Sequence, residues 1–208
     1  FRTMWTALAA TFADDRLRQL FGRYATYCGS SPYEAPATLN LIAHVEGAGV
    51  HRVRGGMRAV ASALEDLAKK VGVALRCGSG VRSLLVDAGR AAGVELECGD
   101  RIASDAVVFA GDANAVASGL LGAPAARAVS AMPREGRSLS AVTWALVGRA
   151  EGFPLVHHNV FFSEDYGAEF DDIARGRAPE APTVYVCAQD RGDAPDELPE
   201  ERMLLIVN

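Results

Sequence analysis

His157-His158-Asn159 is the stretch of this sequence best equipped for chemistry: two imidazoles able to bind a metal or move a proton, beside an amide that can orient a polar group. Adjacent residues of a strand point to opposite faces, and no third ligand stands in register. The two rings are therefore not expected to grip one ion, and no metal is expected; one imidazole of the pair is expected to line a pocket. Two Gly-x-Gly pieces invite a nucleotide reading. Gly47-Ala48-Gly49 lacks the third glycine and is followed by Val50-His51-Arg52 rather than by a helix. Gly78-Ser79-Gly80 runs into Val81, the start of a strand pattern. A phosphate loop needs a helix N-terminus aimed at the pyrophosphate, so both pieces are read as turns. Cys28, Cys77, Cys98 and Cys187 are too widely spaced for a Cys-x-x-Cys motif and read as buried or half-buried thiols of a cytosolic protein. There is no Gly-x-Ser-x-Gly elbow, no His-Glu-x-x-His and no P-loop, and no side chain is singled out as a catalytic acid or base. Such a chain fits an enzyme whose organic cofactor carries the chemistry.

The elements that must position these residues fall into two groups. Residues 5–27 repeat apolar side chains at Leu8, Phe12, Leu17, Leu20, Phe21 and Tyr24, a helical face, and Asp14-Asp15 suits the start of a second helix. Residues 28–36 are rich in turn formers, and residues 37–45 read as helix. A short extended run over 50–53 and a breaker at Gly55-Gly56 precede an apolar stripe over 57–71, the mark of an amphipathic helix. Strand patterns follow at 73–77, 81–86, 91–96 and 101–103, with a hairpin turn at Asp87-Ala88-Gly89-Arg90. Residues 106–110 are a continuous apolar run of the kind buried in a parallel sheet. Helix, strand, meander and buried strand together predict a βαβ-like unit with an antiparallel insert. Further on, strands over 139–147, 160–162, 183–188 and 202–207 predict a second, mainly antiparallel sheet, with a helix over 166–173 and a polar loop over 190–201.

Half of the 208 residues are apolar and 23% are charged, which excludes disorder, collagen and coiled coil. Lys plus Arg number 21 against 26 Asp plus Glu, a net charge of −5 with no basic cluster, so no nucleic-acid partner is expected. No apolar run reaches the roughly 18 residues of a membrane-spanning helix, and Phe1-Arg2-Thr3-Met4-Trp5 lacks the layout of a signal peptide. The chain starts at Phe1 and stops within the run Met203-Leu204-Leu205-Ile206-Val207, so a piece of a longer protein is expected.

Several stretches resemble the FAD-dependent carotenoid desaturases of the phytoene dehydrogenase family, within the amine-oxidase-like flavoproteins. They are Tyr27-Cys28-Gly29-Ser30-Ser31-Pro32-Tyr33-Glu34-Ala35-Pro36-Ala37; Val50-His51-Arg52-Val53-Arg54-Gly55-Gly56-Met57; the run from Gly80-Val81 through Gly89-Arg90-Ala91-Ala92-Gly93-Val94 to Phe109-Ala110-Gly111-Asp112; and His157-His158-Asn159-Val160-Phe161-Phe162-Ser163-Glu164-Asp165-Tyr166. Thr183-Val184-Tyr185-Val186 is similar too, and Ser138-Leu139-Ser140-Ala141-Val142-Thr143-Trp144-Ala145 looks most like the branch acting at C3–C4 of 1-hydroxy- or 1-methoxy-neurosporene.

The resemblance implies a mixed α/β, two-domain FAD-linked fold: residues 46–125 as part of the FAD-binding domain, and residues 1–45 and 126–208 as part of a discontinuous substrate- and membrane-associating domain. It implies FAD as cofactor, with Val81 offering a backbone edge to the adenine and Gly55, Gly56, Gly111 and Asp112 close to the cofactor. It implies a carotenoid substrate in an apolar tunnel, with Trp144 and Phe161 as walls and His158 or Asn159 at the polar end. The flavin loops at the two ends of the family's chains have no counterpart here, so the fragment by itself is expected to be inactive. A lipid-dissolved substrate implies a cytoplasmic protein held peripherally on the inner membrane, with the helices over 5–21 as candidate contacts. Oligomeric state is left open. Another amine-oxidase-like enzyme (a phytoene desaturase, a retinol saturase or an amine oxidase) and a non-catalytic flavoprotein-like scaffold remain as alternatives.

Overall fold

The computed structural model describes residues 2–133, 136–192 and 200–208. The chain divides into two compact units, one of residues Phe1–Gly56 with Ser138–Asn208 and one of residues Met57–Arg137.

In the first unit, helices α1 (Met4–Thr11) and α2 (Asp15–Gly22) begin where side chains cap them. Thr3 Oγ1 accepts from the Thr6 amide, and Asp14 Oδ1 accepts from the Arg16 amide at 2.9 Å. Each cap satisfies an amide that the helix itself leaves unpaired. Met4 and Leu8 of α1 are buried with Ala25 and Ala35, and Phe12, Phe21, Tyr24 and Leu39 pack against them. Phe12 and Phe21 stack at 5.0 Å. A short helix, α3 (Leu41–Gly47), follows.

The second unit opens with α4 (Met57–Lys70) and a three-stranded antiparallel sheet of β1 (Val81–Asp87), β2 (Arg90–Leu96) and β3 (Arg101–Ala103) in that order. Helices α5 (Ala113–Ala117) and α6 (Ala123–Ala126) supply its core, where Val116, Leu121 and Ala125 are buried against Leu84 and Val129.

The chain then returns to the first unit. There β4 (Val142–Gly148), β5 (His158–Phe161), β6 (Val184–Ala188) and β7 (Glu201–Val207) form an antiparallel sheet in the order β4-β7-β6-β5. Helix α7 (Tyr166–Ala174) lies between β5 and β6 in sequence and is capped by Asp165, whose side chain accepts from the Ala168 amide at 2.9 Å.

The mixed α/β class holds, with two antiparallel sheets, but two details are corrected. No βαβ unit forms: residues 50–53, 73–77 and 106–110 join no sheet among the described residues. An extended run becomes a strand only where a neighbour accepts its ladder, and none lies beside these three. Residues 106–110 are not buried either, and Val108 is 91% exposed. The two compact units divide at 56/57 and 137/138. The second unit extends past residue 125 because its core does: Ala125 is buried and Val129 packs against it. Most of the expected loop at 190–201, residues 193–199, lies outside the described residues.

Candidate functional site

In the second unit, Val81 opens β1, an edge of the three-stranded sheet, and pairs with Leu96 on its one neighbouring strand. An edge strand keeps one side of its backbone outside the ladder. The Val81 side chain is 41% exposed. Gly111 lines an apolar cleft of about 360 Å³ with Leu84, Val86, Val107, Phe109 and Leu121. A Cβ at Gly111 would fall 2.4 Å from the Phe109 ring, so the residue leaves that ring its place at the cleft. The Asp112 carboxylate is already engaged: it caps α5 by accepting from the Asn114 amide at 2.8 Å.

In the first unit, Gly55 and Gly56 have φ of +84° and +74°, and the Gly56 amide donates to the Val53 carbonyl at 2.9 Å. Two successive left-handed residues form a turn that only glycine adopts freely. A Cβ at Gly56 would meet nothing within 4 Å, so the turn, and no close neighbour, demands glycine there.

The register of the four-stranded sheet sorts the remaining candidates. Trp144 pairs with Leu205, Leu205 with Val186, and Val186 with Asn159, one row across the sheet. Residues directly opposite share a face, and so do residues two apart along a strand. Trp144, Asn159 and Phe161 therefore stand on one face with Val142 and Leu146, while His158 stands on the other with Tyr185 and Cys187. His158 thus stands on the opposite face of the sheet from Trp144, Asn159 and Phe161. Asn159 is not a free end-group contact either. It is buried, its Oδ1 accepts from the Val156 amide at 2.9 Å, and its Nδ2 donates to the Val156 and Val186 carbonyls at 2.6 and 3.2 Å. Trp144, on the edge strand β4, is 46% exposed, and Phe161 meets Phe153 edge to face at 5.1 Å.

Residues 3–203 match the family of flavin-containing amine oxidoreductases. The chain belongs to this family. This flavin-containing amine oxidoreductase chain is 55% identical to hydroxyneurosporene desaturase of Rubrivivax gelatinosus, over 100% of its own length and 40% of the relative's. It is 48% identical to hydroxyneurosporene desaturase of Cereibacter sphaeroides, over 99% of the chain and 42% of that protein. It is 37% identical to a zeta-carotene-forming phytoene desaturase of Myxococcus xanthus, over 93% of the chain and 37% of that protein. The chain thus spans about two fifths of the length of these relatives.

The family implies FAD, and the second unit of this amine oxidoreductase chain offers features that fit it. A sheet edge at Val81 can pair with a heteroaromatic ring, and the cleft at Gly111 is lined mainly by apolar side chains. Asp112 fits less well, since its carboxylate holds a helix end.

Sequence reasoning missed two buried arrangements. Glu169, 2% exposed, accepts from both the amide and the hydroxyl of Thr183, at 2.8 and 2.6 Å, and so ties α7 to the start of β6. Glu201 accepts a two-pronged contact from Arg191 Nε and Nη2 at 2.6 and 2.7 Å, which holds its carboxyl below the usual carboxylate range. In both, the partners are ten or more residues apart, and no local signal joins them.

Proposed function

We propose that this chain is part of an FAD-dependent carotenoid desaturase that removes the two hydrogens across C3–C4 of an acyclic C40 carotenoid bearing a 1-hydroxy or 1-methoxy group. The observation that carries this reading is the 55% identity, along the whole chain, to a hydroxyneurosporene desaturase.

The sheet supports it. Val142, Trp144 and Leu146 line one face of β4, each more than two fifths exposed, and Phe161 stands on the same face of β5. A polyene can be held only by apolar walls, because each polar wall group would lose water without gaining a partner. Trp144 adds one donor, Nε1–H, which can hold the terminal oxygen while the indole packs along the chain. Val81 and Gly111 hold the cofactor by a backbone edge and an apolar cleft. FAD, when bound, supplies the acceptor for hydride from the carotenoid, and the second hydrogen leaves as a proton. The polyene spreads the developing positive charge over its own double bonds, so the protein's task is to align the substrate and exclude water. Product analysis of the full-length protein tests the reading. Conversion of 1-hydroxyneurosporene to a product with one more double bond at C3–C4 supports it. Oxidation of amines with no carotenoid conversion overturns it.

The intact enzyme reaches its lipid-dissolved substrate by peripheral, apolar contact with the cytoplasmic face of the inner membrane. Two observations support this part of the proposal. Among the described residues no helix is long and apolar enough to cross a membrane, and the net charge of −5 offers little to anionic headgroups. Helices α1 and α2 turn Met4 and Leu8 into the core but leave Leu17 and Leu20 exposed. Flotation with liposomes that persists at high salt supports apolar contact, and release at moderate salt contradicts it.

A further inference from the structure

We propose that His157, His158 and Cys187 form a binding site for one borderline-soft divalent cation, represented by Zn²⁺. Sequence reasoning set this aside because neighbouring residues of a strand face opposite ways. The structure removes that objection: His157 immediately precedes β5, its carbonyl accepts from the Ala188 amide at 3.0 Å, and its ring nonetheless turns toward its neighbour's. The two imidazoles meet edge to face with centroids 4.4 Å apart. Cys187 is the cross-strand partner of His158, which puts thiol and imidazole on one face of the sheet. One ligand atom from each of the three residues lies within 4.8 Å of the others.

The finer geometry suits a metal. His157 Nε2 stands 3.8 Å from Cys187 Sγ. Ligands at about 2.1 Å (nitrogen) and 2.3 Å (sulfur) from a shared zinc ion, set that far apart, subtend an angle of roughly 120°, close to tetrahedral. The other nitrogen of His157, Nδ1, lies 3.2 Å from the Arg191 carbonyl and 3.4 Å from Arg52 Nη1. That carbonyl, which also accepts from Arg52 Nη1 at 3.0 Å, can take a proton from Nδ1, and in that tautomer the lone pair lies on Nε2, the nitrogen nearest the sulfur. A ligand imidazole held by a carbonyl in this way is the usual outer support of a metal site. His158 is oriented in turn by Tyr185, whose hydroxyl is 2.7 Å from its Nδ1. His157 and Cys187 are half-buried and His158 is exposed, which leaves the fourth position to water. The Arg52 guanidinium opposes a cation, whereas the cysteine sulfur, bound as thiolate, attracts it. On binding, the thiol proton goes to solvent and no electron is transferred. The ion would fasten the start of β5 to β6. This inference does not rest on the desaturase reading.

The test is zinc-edge X-ray absorption on the full-length protein, stripped with chelator, loaded with one equivalent of zinc chloride and dialysed. The expected result is one retained zinc with a single sulfur at about 2.3 Å and nitrogens at about 2.0–2.1 Å. Cys187→Ser should remove the sulfur shell, and His157→Gln should weaken retention by about tenfold or more. A variant with Cys28, Cys77 and Cys98 all changed to serine should keep the full signal. Wild-type protein that loses its zinc on dialysis overturns the proposal, as does a sulfur shell that survives in a folded Cys187→Ser protein.

Discussion

Trp144 and Asn159 stand at the two edges of one row across the four-stranded sheet, with Leu205 and Val186 between them. Three strand spacings of about 4.8 Å put them roughly 14 Å apart on the same face. Their environments are opposite: Asn159 is buried with both amide protons committed to carbonyls, whereas Trp144 is half exposed on an edge strand. Opposite outcomes follow. Trp144→Phe should leave the melting temperature almost unchanged and raise KM for a hydroxylated or methoxylated carotenoid, with no change for a plain hydrocarbon. Asn159→Ala should cost about 2 kcal/mol of stability, because it strands the Val156 amide and carbonyl, and should leave KM alone. Equal kinetics of Trp144→Phe on both substrate types would remove the indole from the end-group site.

Val81 tests the cofactor edge. Proline at this position removes the backbone donor, and a strand edge is where proline is best tolerated. A folded Val81→Pro full-length protein is expected to lose bound flavin, read as the ratio of visible to protein absorbance. Retention of the full flavin complement would take the adenine contact away from this residue.

Glu201 sets an acid limit. Hydrogen bonds from Arg191 lower its pKa in the folded chain, while the unfolded value is about 4.3. A depressed carboxyl contributes stability that is complete above the unfolded value and is lost as pH falls through the folded one. Because Arg191 is partly exposed, removing the pair should cost only about 2 kcal/mol near neutrality. Glu201→Gln should therefore lower the melting temperature at pH 7 and flatten its decline below pH 4. An unchanged decline would assign the acid limit to other carboxylates.

What the sequence disclosed was local. The amphipathic stripe over 57–71 became α4, and Asp14 caps the helix that Asp15 begins. The hairpin at Asp87-Ala88-Gly89-Arg90 formed with positive φ at both Ala88 and Gly89, as a two-residue turn requires. What it did not disclose depended on partners. Residues 73–77 and 106–110 have strand composition, but among the described residues they join no sheet. The face shared by Trp144, Asn159 and Phe161 follows from a register over three strand pairs, which no window of sequence contains. Of the four thiols expected to be buried or half-buried, only Cys187 is; Cys28, Cys77 and Cys98 are exposed, and the histidines that Cys187 meets lie some thirty residues away in sequence.

The central claim is that a carotenoid delivers hydride to a flavin held by this protein. Anaerobic mixing of the full-length protein with 1-hydroxyneurosporene, followed in the visible region, tests it most directly. The account predicts flavin bands in the resting protein that bleach on adding the carotenoid, with one equivalent of the 3,4-desaturated product formed per flavin bleached. A protein without flavin bands, or one whose flavin stays oxidised with the carotenoid yet bleaches with an amine, would contradict it.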